Sequence, residues 1–156
     1  PVYIAIPSGP VIHAEGSVRT NFDALNTYEV TREGSKVAVL ALGDFYDLGE
    51  KTVEALSSTL GIEATLVKPY FASGVDENLL DNLVKDHDVI VTIEDGIIEG
   101  GWGQNIASYL GASSARVLNY GVKKAFYDRV NIADLMRESH LDPELIAADV
   151  KQALGL

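Results

Sequence analysis

The chain has 156 residues, 47% of them hydrophobic and 22% charged, which suits one compact domain with a real core and excludes disordered, collagen-like and coiled-coil classes. Twelve Lys and Arg stand against 23 Asp and Glu, a formal charge of −11. That balance argues against nucleic acid or an anionic membrane surface as partner, since both call for a basic patch and the densest here is Lys123-Lys124. The absence of Cys removes disulfides, thiolate zinc sites and cysteine catalysis. With no 18-residue apolar run and no signal-peptide pattern, the expectation is a soluble, cytoplasmic protein.

In chain order, Val2, Ile4 and Ile6 alternate with Tyr3 and Ala5 as in a strand, which Pro7-Ser8-Gly9-Pro10 stops. Opening in a strand at Pro1, without Met, reads as a cut from a longer chain. Residues 11–26 show little apolar spacing and read as a linker, and Tyr28 to Val30 as a short edge strand. Val37 to Leu42 is a continuous apolar run, as expected for a parallel strand buried on both faces. Asp47 and Glu50 have capping-box spacing before a helix that carries Val53, Leu56 and Leu60 and closes at Gly61. The next unit pairs a strand over 64–67 with a helix capped by Asp76, with Leu79, Leu80, Leu83 and Val84 inward. A strand over 89–93 leads through the glycine-rich turn Gly96 to Gly103 into a helix bearing Ile106 and Leu110. A last strand over 116–118 is followed by Asn119-Tyr120-Gly121 and two helices. One is capped by Asn131 with Ile132, Leu135 and Met136 inward. The other opens Asp142-Pro143-Glu144 and carries Ile146, Val150 and Leu154. Right-handed crossovers then give an α/β fold, a three-layer α/β/α sandwich with a mostly parallel sheet and one antiparallel edge strand.

Three kinds of chemistry are testable on these residues. The stretch Gly43 to Thr52 has the wrong glycine spacing for a phosphate loop and adds Glu50 where phosphate would sit. Gly100-Gly101-Trp102-Gly103 opens a helix after a strand and offers backbone amides to an anion, although it lacks dinucleotide-fold spacing. The favoured reading is that these glycines let the backbone pass close to a neighbour on which Trp102 packs. Among the carboxylates, residues 76–99 hold eight acids and only Lys85 to offset them. Most belong to a solvated helix face, and Glu94 and Asp95, near a strand's carboxyl end, are the pair placed for a ligand crevice. The histidines His13, His87 and His140 are not spaced as metal ligands, and His87 reads as a solvated residue ahead of its strand. No catalytic, cofactor or metal residue emerges.

The block His87-Asp88-Val89-Ile90-Val91-Thr92-Ile93-Glu94-Asp95-Gly96, continued by Gly100-Gly101-Trp102-Gly103, resembles the "VT-[IV]-E-[DE]-G, then GG-x-G" signature of the carboxyl-terminal domain of thiamine diphosphate enzymes in the transketolase superfamily. Within it the chain is most similar to the 1-deoxy-D-xylulose 5-phosphate synthases. Three stretches agree in order: Pro1 to Gly9, Gly61 to Val67 with Val75-Asp76-Glu77, and Asn119-Tyr120-Gly121 onward with Phe126, Leu141 and Ile146. The resemblance covers nearly the whole chain. It departs at Ala5 and Ser8, where one version of the first segment carries arginines that hold the aldehyde substrate's phosphate.

The resemblance implies a three-domain homodimeric transferase that joins pyruvate to glyceraldehyde 3-phosphate with loss of carbon dioxide, for isoprenoid precursor synthesis. Thiamine diphosphate and Mg would be held upstream: the family's Gly-Asp-Gly followed by a downstream Asn is missing here, since Phe45 follows Gly43-Asp44. Residues 1–26 would be a remnant strand of the pyrimidine domain plus linker, and residues 27–156 the transketolase C-terminal-like domain, inactive alone. Its contact with other domains and a second subunit would lie at Glu94, Asp95, Gly100, Gly101, Trp102 and Gly103, with Trp102 as an exposed anchor. The rival readings are a stand-alone flavodoxin-like ligand or interaction module, for which residues 1 to 26 should be ordered, or the same domain of a transketolase or 2-oxoacid dehydrogenase beta subunit.

Overall fold

A computed structural model describes residues 20, 21, 23, 24 and 26–156. The strand expected over 2–6, most of the linker, and Ala5 and Ser8 lie outside the described residues. Five strands, β1 (Glu29–Arg32), β2 (Lys36–Ala41), β3 (Thr65–Lys68), β4 (His87–Ile97) and β5 (Arg116–Val122), form one sheet in the order β1-β3-β2-β4-β5. Four are mutually parallel, and β1 runs antiparallel on β3. The helices are α1 (Tyr46–Leu60), α2 (Glu77–Asp86), α3 (Trp102–Tyr109), α4 (Ile132–Glu138) and α5 (Pro143–Leu154).

The period-2 geometry of strands splits the core into two layers. Val37, Val39 and Ala41 of β2, with Val89, Val91 and Ile93 of β4, face Val53 and Leu56 of α1 and Ile146 and Val150 of α5. Ala38 and Leu40, with Ile90 and Val67, face Leu80 and Leu83 of α2 and Trp102 and Ile106 of α3. β2 and β4 are therefore apolar on both faces because both faces carry helices, and the expected three-layer architecture is the observed one.

Four local expectations are corrected. Asp47 does not cap α1: a single 3-10 turn, Gly43–Phe45, feeds the helix, and the Asp47 carboxylate instead accepts from Lys51 one turn on, at 2.5 Å. β5 does not stop at Leu118. Asn119 pairs in register with Thr92 and Tyr120 with Ile93, and the one polar side chain this costs is satisfied by the Thr92 hydroxyl, which donates to Asn119 Oδ1 at 2.7 Å. β4 likewise runs on through Glu94-Asp95-Gly96 to Ile97. Ile132 points outward, 73% exposed, although Asn131 does cap α4 through its Oδ1. The caps at Asp76 and Asp142 are as expected, each accepting first-turn amides.

Candidate functional site

The carboxyl ends of β4 and β5 hold the residues singled out from the sequence, and the centre of that region is Glu94. Its side chain points inward from β4, 6% exposed, and its two oxygens accept the first two amides of α3: Trp102 N–H to Oε2 at 2.9 Å and Gly103 N–H to Oε1 at 2.8 Å. A helix leaves its first amides without partners and carries partial positive charge at that end. The residue preceding α3, Gly101, has no side chain with which to cap it, so the adjacent strand supplies the cap. The turn completes itself, with Gly101 N–H donating to the Ile98 carbonyl at 3.0 Å and Gly100 N–H to Gln104 Oε1 at 2.8 Å.

This close approach explains the glycines. A Cβ on Gly101 would stand 2.5 Å from the Ile97 carbonyl oxygen and 2.6 Å from Glu94 Oε1, and one on Gly103 would collide with the Thr92 hydroxyl. The block is thus a lock between β4 and α3, as the favoured sequence reading had it: the backbone passes close to a neighbour. A buried carboxylate is tolerable only when its charge is met by donors, and here the helix terminus does so. The same geometry fills the anion seat that α3 would otherwise offer.

Trp102 is not the exposed anchor expected of it. It is 3% exposed, packed with Leu80, Ile90 and Ile106, and its indole N–H donates to the Tyr28 hydroxyl at 3.0 Å, with the two rings edge to face at 6.0 Å. Being the first residue of α3, whose amide is held by Glu94, it is drawn into the core by the lock itself. Tyr28 in turn is tied down by its amide, which donates to Asp76 Oδ2 at 2.9 Å. Burial pushes the Tyr28 phenol up, and the Trp102 hydrogen bond opposes that. Of the other expected contact residues, Asp95 and Gly100 are exposed and Gly101 is half-buried.

His87 also departs from its reading as a solvated residue. It is 8% exposed, and Nδ1 lies 2.8 Å from the Leu83 carbonyl, which can only accept. Nδ1 therefore carries the proton, and Nε2 accepts from the Thr65 hydroxyl at 2.7 Å, which itself accepts from Gly34 N–H at 3.0 Å. The imidazole stitches α2 to β3 and is spent on structure. His140, at the end of α4, stands 2.7 Å from Asp149 Oδ2, the oxygen that also accepts from the Tyr120 hydroxyl at 3.0 Å. Burial, with the Asp149 charge adding to it, drives the Tyr120 phenol far above its ordinary range. Sequence reasoning missed this cluster and the Tyr28–Trp102 pair because their members are 9 to 74 residues apart. It also missed Phe126 and Tyr127 as surface features, although adjacent aromatics in an unpatterned, charged stretch are a visible signal.

Thiamine diphosphate and magnesium, implied for the complete enzyme by the resemblance, do not fit the described residues. The one helix start beside the carboxylate pair is filled by Glu94. Among the described residues no three His, Asp or Glu side chains gather as a metal site.

The family described as "Transketolase, C-terminal domain" matches residues 26–146. The chain belongs to that family. It is similar to a 1-deoxy-D-xylulose-5-phosphate synthase of Pseudoalteromonas translucida, 31% identical over 153 residues, which are 97% of this chain and 24% of that protein. A synthase of the same name from Vibrio atlanticus is 34% identical over 126 residues, 80% of this chain and 19% of that protein. The chain thus spans a quarter or less of the curated relatives it matches. Among solved structures, a split-gene transketolase described as an inactive beta4 tetramer superposes with a TM-score of 0.72 at 26% identity, over 89% of this chain and 45% of that one. The transketolase C-terminal family is therefore where this fold sits, and the Glu94 lock lies in the segment that the family shares.

Proposed function

We propose that residues 27–156 are the C-terminal domain of a 1-deoxy-D-xylulose 5-phosphate synthase-like, thiamine diphosphate-dependent transferase, and that residues 1–26 are a remnant strand and linker of the domain before it. The observation that carries this reading is the engagement of the superfamily block. Glu94 gives both oxygens to α3, the glycines make room for it, and Trp102 is buried by it. These residues hold β4 against α3, and in this reading the domain's part is to position and cover. Pyruvate decarboxylation and addition to glyceraldehyde 3-phosphate take place on cofactor chemistry supplied by the upstream domains, in a cytoplasmic homodimer.

The complete polypeptide, assayed with pyruvate plus glyceraldehyde 3-phosphate and separately with a ketose donor, is expected to turn over the first pair. Preference for the ketose donor moves the assignment to a transketolase. The 156-residue chain titrated calorimetrically with thiamine diphosphate and magnesium should give no specific heat, and micromolar binding would falsify the scaffold role.

A further inference from the structure

Loop 123–131, between β5 and α4, has no role in the reading above, yet it carries the most exposed apolar surface among the described residues. Every residue from 123 to 134 is exposed. Phe126 is 100% exposed, Ile132 73%, Val130 45% and Tyr127 39%, and Ile97, paired with Val122 at the root of the loop, is 44% exposed. Isolated apolar residues on a surface are ordinary, but several large ones within one loop mark a surface that something covers.

The strip continues into the β5 edge. β5 is bonded to β4 on one side, and along its other side, between it and α5, runs an open groove of about 590 Å³ walled by Arg116, Leu118 and Asn119 of β5 and by Asp149, Gln152 and Ala153 of α5. Apart from Arg116, which donates to the Ala153 carbonyl, this edge has no charged residue of its own. The opposite edge is guarded in the usual ways: β1 is four residues long, bulged between Val30 and Arg32, and carries the Arg32–Glu63 ion pair.

The pole at which the chain enters the domain bears on the occupant. Because β1 is antiparallel to the other strands, Glu29 pairs with Lys68 at the end of β3, and Tyr28 stands where the parallel strands finish. Loop 123–131 leaves β5 at that same pole. The curated relatives carry three-quarters or more of their length outside the matched segment, and Tyr28 shares its pole of the sheet with the loop, although β1 and β5 are at opposite edges.

We propose that the Phe126–Ile132 strip, with the adjoining β5 edge, docks against the upstream catalytic part of the complete enzyme. This deepens the functional reading above and rests on it.

Amide hydrogen exchange on the complete enzyme and on the 156-residue chain tests the proposal. Amides of residues 123–134 should exchange at least tenfold more slowly in the complete enzyme. A Phe126→Ser, Ile132→Ser double variant of that enzyme should lose the difference while β2 and β4 amides stay protected, which separates lost docking from unfolding. Equal exchange of the loop in both proteins overturns the proposal, as does protection that appears in the 156-residue chain and grows with its concentration, for then a second copy is the occupant. Loop protection without turnover of pyruvate and glyceraldehyde 3-phosphate sinks the functional reading and leaves the contact. Turnover without protection sinks the contact alone.

Discussion

The segments that follow β4 and β5 leave the sheet side by side and behave in opposite ways. At the end of β4, the strongly patterned stretch 94–103 turns inward: Glu94, Trp102 and Gly103 are buried, and the amides at the start of α3 are met by the Glu94 side chain. After β5, the unpatterned stretch 123–134 faces water throughout, with a fully exposed phenylalanine. The glycine-rich block is thus the one that stabilises the domain, and the stretch around Phe126 is left available for contact. A residue pattern that repeats across a family can encode a packing requirement as readily as a reaction.

Substitutions should separate the two segments by the size of their effect on the isolated chain. Glu94→Ala leaves two buried amides without acceptors and should cost about 3 kcal/mol, seen in denaturant melts as a lower midpoint at constant slope. A loss below about 1 kcal/mol would mean that water replaces the carboxylate and the lock is dispensable. Gly101→Ala forces a methyl group against the Ile97 carbonyl and Glu94, for an expected loss of about 2 kcal/mol. An unchanged midpoint would show that the turn relaxes freely.

Tyr120 gives a smaller, pH-dependent effect. Its phenol is raised in the folded state from the ordinary value of 10.0, so the folded chain holds that proton more tightly than the unfolded chain. The contribution of Tyr120 to stability should be constant below pH 10 and fall as pH rises above it, where only the unfolded state can ionise. Tyr28, Tyr46 and Tyr109 are shifted in the same direction and add to the slope. Tyr120→Phe should flatten the slope above pH 10 and cost about 1 kcal/mol at neutral pH through the lost Asp149 hydrogen bond. An unaltered alkaline slope removes Tyr120 from the account. Smallest of all, Phe126→Ser in the isolated chain should change stability by no more than about 0.5 kcal/mol, because its ring touches solvent alone. A loss comparable with that of Glu94→Ala would erase the contrast between the segments.

The layers of the fold were legible because β2 and β4 are apolar on both faces and because Asp76, Asn131 and Asp142 announce their helices. Helix α1 was misread at its start because Asp47 has a closer partner in Lys51 than in the backbone, a competition that spacing does not reveal. The end of β5 was missed because Asn119 looks like a turn residue until its partner Thr92, 27 positions earlier, is placed opposite it. At the site, the glycines and Trp102 could be read as close packing from their order alone. The cap itself could not, since Glu94 reaches α3 across the space between two elements. His87 looked solvated for the same reason: its acceptor and donor partners belong to α2 and β3.

The path of the backbone also sets a direction. Arg116, at the start of β5, holds the Ala153 carbonyl near the end of α5, so Leu156 sits at the amino-terminal pole of the sheet while Tyr28 sits at the other. A fluorescent reporter or affinity handle appended after Leu156 would hang at the opposite pole from Phe126, clear of loop 123–131 but beside the Arg116 end of the β5 groove, so in a pull-down or energy-transfer measurement it would report on the groove and spare the loop.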